Sequence, residues 1–140
     1  MKTVEEMNRL SGIVVDAAME VHRAFGPGLL ERVYEAALAK ELQTRGVSCE
    51  RQVPVPVLYK GETLDDEGYR IDLLVEGCLV VELKTVAELL PIHEAQLHTY
   101  LKLSGNSLGL ILNFNVLRMK EGIRRRVLNF PESSRIQHSH

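Results

Sequence analysis

Two short apolar runs, Tyr69-Arg70-Ile71-Asp72-Leu73-Leu74-Val75 and Leu79-Val80-Val81-Glu82-Leu83-Lys84, stand three residues apart in the chain. Runs of this length, rich in Val, Ile and Leu and separated around a glycine, read as two strands of a hairpin. Side chains alternate between the two faces of a strand. The odd positions of both runs are apolar throughout. The even positions carry Arg70, Asp72 and Leu74 on one strand and Val80, Glu82 and Lys84 on the other. Charge thus interrupts two otherwise apolar strands, each time on that strand's even face.

Whether Asp72 and Glu82 share a face depends on the connection. Residues directly opposite in a ladder lie on the same face, so paired numbers must sum to an even value. A two-residue turn at Glu76-Gly77 pairs 75 with 78 and separates the carboxylates. A three-residue loop ending at Gly77 pairs 74 with 78, sets Asp72 opposite Val80 and diagonal to Glu82, and brings them together. A shared site therefore requires an odd-length loop. Two carboxylates and a lysine on a partly covered face are costly without a partner, and the acids raise one another's pKa. Mg²⁺, which takes one or two carboxylates with waters and phosphate, resolves that cost. Lys84 then stands beside the metal, able to act on a water or on transition-state charge. The competing reading is an exposed strand face with a surface ion pair.

The remaining elements surround this hairpin. Leu10, Val14, Ala17, Val21 and Phe25 recur at helical spacing, and Gly26-Pro27-Gly28 ends that helix. A second helix follows with Leu30, Val33, Tyr34, Ala37, Leu38 and Leu42 as its stripe and Gly46 as its cap. Val53, Val55 and Val57 alternate with Pro54 and Pro56, which cannot donate to a ladder, so the segment is an edge strand at best. Lys60 to Gly68 reads as a solvated acidic turn. A third helix is expected from about Pro91 to Leu103 with the stripe Ile92, Gln96, Leu97, Tyr100 and Leu103, followed by the strand Leu108–Leu112 in a parallel crossover. Ile123 to Phe130 makes a last strand, and 131–140 reads as a polar tail. The sum is α/β, a mixed sheet covered by helices.

Composition narrows the function. Lys and Arg total 17 against 19 Asp and Glu, so nucleic acid could be held only by a local patch, not by bulk charge. Cys49 and Cys78 have neither zinc-ligand spacing nor the density of a disulfide framework. No apolar run approaches the ~18 residues of a membrane span, and Met1–Glu6 lacks the apolar stretch of a signal peptide. A cytoplasmic protein without a membrane partner is expected.

Two further patterns accompany the charged hairpin. Gly28-Leu29-Leu30-Glu31-Arg32-Val33-Tyr34 is G-x-x-E-x-x-Y, and Gln96-Leu97-His98-Thr99-Tyr100 is Q-x-x-x-Y. In order with Asp72 and Glu82-x-Lys84, they resemble the GxxExxY proteins of the PD-(D/E)XK nuclease superfamily over about residues 5 to 130. That resemblance implies a restriction-endonuclease-like core in a single domain (1–130). It implies Mg²⁺ or Mn²⁺ on Asp72, Glu82 and the Leu83 carbonyl, Lys84 as the catalytic lysine, and Glu31 near the metal or its waters. Gln96 and Tyr100 match a motif shared with RecB-like nucleases that shapes the site. The implied reaction is cutting of nucleic acid, DNA ahead of RNA, by metal-activated water. A non-catalytic nucleic-acid- or protein-binding module on the same fold is the alternative.

Tyr34 reads as a packing or hydrogen-bonding residue, and His93, one turn before Gln96, as an auxiliary candidate. Arg118, Lys120, Arg124, Arg125 and Arg126 form the one local excess of positive charge. On a strand Arg124 and Arg126 share a face and Arg125 takes the other. Arg118, Lys120, Arg124 and Arg126 are candidates for phosphate contact, or else a guard on an edge strand. A core this short has no room for a separate sequence-reading module. Specificity would come from loops, a homodimer or a partner protein.

Overall fold

A computed structural model describes residues 2–130; the predicted tail at 131–140 lies outside the described residues. Thr3 opens α1 (Val4–Phe25) with a reciprocal cap, accepting from the Glu6 amide while Glu6 accepts from the Thr3 amide. Leu10, Val14, Ala17 and Val21 are buried, but Phe25, the last residue of the helix, is 52% exposed. The Gly26-Pro27-Gly28 turn leads into α2 (Glu31–Thr44). The Tyr34 hydroxyl donates to the Gly26 carbonyl and accepts from the Leu29 amide at 3.2 Å, and its ring stacks on Phe114 at 4.5 Å. Tyr34 thus locks the α1–α2 connection to the core. Tyr34, Leu38 and Leu42 are buried as expected, whereas Leu30, as the N-cap, faces outward. At the other end of α2 Gly46 (φ +76°) takes the left-handed position, and Val47 donates to Leu42 as in a Schellman turn.

Among the described residues, seven strands follow in two sheets. The five-stranded sheet has the order β1 (Cys49–Pro54), β4 (Arg70–Val75), β5 (Leu79–Lys84), β6 (Leu108–Asn113), β7 (Ile123–Val127). In this sheet β5 and β6 pair in parallel, joined through α3 (Pro91–Ser104), and the other described neighbours are antiparallel. β1 is the edge strand expected of a proline-bearing segment and stops at Pro54. Beyond it, β2 (Val57–Tyr59) and β3 (Glu62–Asp65) form a separate hairpin through Lys60-Gly61, both at positive φ. This corrects the reading of Lys60–Gly68 as one acidic turn: a Lys-Gly pair in left-handed geometry closes a hairpin as Asn-Gly does. The last strand also ends at Val127 rather than Phe130.

Helices α1 and α2 cover the face bearing Leu73, Val75, Leu79, Val81, Leu83, Leu108, Leu110 and Leu112. α3 covers the other face, where Leu97 and Leu101 pack on Val80 and Ile111. Its approach is close: a Cβ on Gly109 would come within 2.8 Å of Leu97 Cδ1. The buried stripe of α3 is Leu97 and Leu101. Ile92 and Gln96, expected in that stripe, are exposed instead and line a cavity beside the sheet. Among the described residues no helix is long and apolar enough to cross a membrane.

Candidate active site

The β4–β5 connection decides the site. Glu76 and Gly77 both have positive φ (52° and 69°), and Cys78 donates to the Val75 carbonyl at 3.0 Å, the geometry of a two-residue hairpin turn. Yet the ladder pairs Val75 with Leu79, then Leu74 with Val80 and Leu73 with Val81. Cys78 is left between turn and ladder as one extra residue. That residue turns an odd register into an even one. The expected odd-length connection is present, but spans Glu76–Cys78. Asp72 therefore lies directly across from Glu82 rather than diagonal to it.

One step beyond Leu73–Val81 the carboxylates take over from the ladder. The Asp72 amide donates to Glu82 Oε2 at 3.2 Å, and the Leu83 amide donates to Asp72 Oδ2 at 2.8 Å. Each acid is thus tied to the opposite strand. Glu82 is only 7% exposed. Burial, and next the charge of Asp72, push its carboxyl up to about 9, against the Asp72 amide and Lys84. Asp72 is raised by burial and by Glu35, against the Leu83 amide, Gln52 and Lys84. Glu31, in the first turn of α2, is also raised, by partial burial and Asp72, with Lys84 opposing. Three acids and one lysine share a local field in which negative charge is in excess.

A cavity of about 770 Å³ between β5, α3 and the β2–β3 hairpin reaches Glu82 and Lys84 of this cluster, while Asp72 and Glu31 are not part of its lining. Glu82 and Lys84 form one wall; His93, Gln96 and Tyr100 of α3 form another; Tyr69 and Leu64 are also part of the lining. His93 Nδ1 accepts from the Leu90 amide at 3.0 Å and so also caps α3. The Tyr100 phenol is raised by burial and by Glu82 and Asp72, placing it in the same field. Asn113, level with Lys84 in the next strand, is buried and holds both amide and carbonyl of Val86 (3.1 and 3.0 Å). It anchors the chain leaving Lys84 for α3.

A family model described as the PD-(D/E)XK nuclease superfamily matches residues 8–126. The chain belongs to the PD-(D/E)XK nuclease superfamily. No curated protein and no solved structure matches it. Membership implies nuclease-type chemistry on a nucleic acid, and PD-(D/E)XK nucleases generally use divalent metals. The donors fit a hard cation. Among the described residues no three or more His, Cys, Asp or Glu side chains form a preformed cage. The carboxylate pair Asp72/Glu82, with Glu31 nearby, is the kind of sparse oxygen set that leaves room for waters and substrate phosphate. Nuclease-superfamily membership also suits the raised acids, because a cation is the group that favours their ionised forms.

Two further residues, Glu35 and Gln52, stand around this candidate site. Glu35 is 6% exposed and accepts from Arg51 Nε (3.0 Å) and Gln52 Nε2 (2.8 Å). Gln52 Nε2 also donates to Asp72 Oδ1 at 3.2 Å. Glu35 was detectable as a lone acid at i, i+3, i+7 spacing with Leu38 and Leu42. Gln52 carries no such signal, since its place opposite Asp72 comes from strand pairing.

The basic cluster divides across the sheet. Arg124 pairs with Ile111, which pairs with Glu82, so Arg124 shares a row and a face with the carboxylates. Its Nη1 donates to the Glu121 and Ile123 carbonyls. Arg126 lies 3.6 Å from Glu94 of α3. Arg125 takes the other face, donating to Asn8 of α1 and resting on the Phe130 ring. Arg118 and Lys120 border a recess with Met19, His22 and Arg23 of α1, on the side away from α3.

Proposed function

We propose that this chain is a metal-dependent nuclease, cytoplasmic and with its catalytic domain in residues 1–130, that hydrolyses phosphodiester bonds in DNA ahead of RNA. The observation that carries the reading is the meeting of Asp72 and Glu82 across the β4–β5 hairpin, beside Lys84 and within the field of Glu31. Asp72, Glu82 and the Leu83 carbonyl would hold Mg²⁺ or Mn²⁺, and Glu31 would assist at the metal or through its waters. When bound, the cation polarises a phosphoryl oxygen and acidifies a water.

The chain's own groups do the rest. Lys84 presents its ammonium on the cavity wall beside Glu82, where it offsets charge developing on the phosphoryl oxygens. Gln96, exposed on the facing wall, offers an amide to orient substrate, and Tyr100 and His93 shape that wall. Arg124 and Arg126, on the same sheet face, contact phosphates of the strand beyond the site.

Calorimetric titration of Mn²⁺ and Mg²⁺ into the wild type and Asp72→Ala tests the metal assignment, and binding should vanish in the variant. Silence from the wild type overturns it. Cleavage is then followed on single- and double-stranded DNA and RNA with Mn²⁺ present. Lys84→Ala should bind metal yet cut about 10²-fold or more slowly. Metal binding without cleavage of any of these substrates would favour the non-catalytic binding module.

A further inference from the structure

Resting on the reading of Asp72 as a metal ligand, we infer that Gln52 is a positioning residue for that carboxylate, braced from behind by Glu35. β1 pairs with β4 at Arg51–Leu73 and at Val53–Ile71, and Gln52 lies between them, opposite Asp72. Its backbone is in the left-handed region (φ +54°), a conformation unfavourable for a non-glycine residue that persists only where surroundings hold it. The hold is visible in the side chain. Gln52 Nε2 donates to Asp72 Oδ1 at 3.2 Å and to Glu35 Oε1 at 2.8 Å. Ionised carboxylates only accept, so only the amide NH₂, with its two hydrogens, can serve both at once.

Glu35 is the fixed end of this arrangement. It is buried on α2 and its second oxygen accepts from Arg51 Nε at 3.0 Å. At the other end, Asp72 Oδ2 already accepts from the Leu83 amide at 2.8 Å. With both oxygens engaged, the Asp72 carboxylate cannot rotate about its Cβ–Cγ bond, and each oxygen keeps a further lone pair for a ligand. Gln52 thereby sets the ligand geometry before a cation arrives, the role that outer hydrogen-bond partners play at metal sites. The left-handed turn of its backbone aims the amide at two acids that belong to different elements.

The test is Mn²⁺ calorimetry on the full chain, with thermal melting alongside. Gln52→Gly removes the amide but suits φ +54°, so the fold should melt at or above the temperature of Gln52→Ala. Its Mn²⁺ affinity should nevertheless fall about tenfold or more. Wild-type affinity in a folded Gln52→Gly chain overturns the inference while leaving the metal site standing. A wild type that binds no Mn²⁺ overturns both. Should Gln52→Gly fail to fold, Glu35→Ala is read against Glu35→Gln. The glutamine keeps an acceptor for Gln52 and should retain affinity where the alanine loses it, whereas equal losses would mean that Glu35 acts only through its charge.

Discussion

Glu82 is the residue whose burial is most at odds with its chemistry. In the metal-free chain its carboxyl is raised from 4.5 to about 9, chiefly by burial and then by Asp72. The folded state therefore binds a proton that the unfolded state releases above pH 4.5. Stability of the metal-free protein should be fullest below that value and fall as pH rises toward 9, by an amount on the order of several kcal/mol. Asp72 and Glu31 are raised too and add to the same slope. Glu6 and Glu76 are lowered, mainly by backbone hydrogen bonds, and act in the opposite sense only below the ordinary carboxylate range. Glu82→Gln keeps an acceptor for the Asp72 amide and has no proton to lose. Melted without metal, it should match the wild type at pH 5 and exceed it at pH 8.5. Identical melting temperatures at both pH values would mean that Glu82 ionises freely in the fold.

The β4–β5 hairpin shows how one residue determines an element. The alternation of Tyr69–Val75 and Leu79–Lys84 makes both strands legible in the sequence, together with the fact that Asp72 and Glu82 interrupt them. It does not reveal the register, because Glu76-Gly77 supports a tight turn that by itself places the acids on opposite faces. Cys78, packed against the core beyond the turn, supplies the extra residue. Cys78→Ala should therefore cost no more than about 1–2 kcal/mol in chemical denaturation. Deleting Cys78 moves every side chain of one strand to the other face. That variant should lose the cooperative unfolding transition, and a deletion that melts like the wild type would show that the register rests elsewhere. α3 teaches a related lesson: its span is legible from Pro91 and the apolar spacing, but its inward stripe is not. Ile92 and Gln96 satisfy helical periodicity with Leu97 and Tyr100 yet turn to the cavity, because Gly109 seats the helix on Leu97 and Leu101.

Across the whole molecule, the five-stranded sheet sorts groups that the chain scatters. Asp72, Glu82, Ile111 and Arg124 come from four strands and fall in one row. Arg118 and Lys120, close to Arg124 in sequence, end beside α1. If a nucleic-acid strand crosses the α3 side of the sheet, the two halves of the basic cluster should behave differently. In fluorescence-anisotropy binding to a DNA oligonucleotide, Arg124→Ala with Arg126→Ala should weaken affinity and reduce the salt slope by about two phosphate contacts. Arg118→Ala with Lys120→Ala should leave both unchanged. Equal losses from the two pairs would place the strand elsewhere.

The sequence by itself determined that this is an α/β chain with a charged hairpin inside apolar strands, and that four ordered motifs fit the PD-(D/E)XK nuclease superfamily. Those features are written in periodicity, residue type and short-range spacing, which local backbone geometry translates directly. Tertiary structure alone decided that Asp72 faces Glu82 squarely, that Gln52 and Glu35 stand behind Asp72, and that Arg124 shares the acids' face while Arg118 does not. Each of these depends on strand register and sheet order. A single residue of slippage inverts a face, so such relations exist only once the strands have paired.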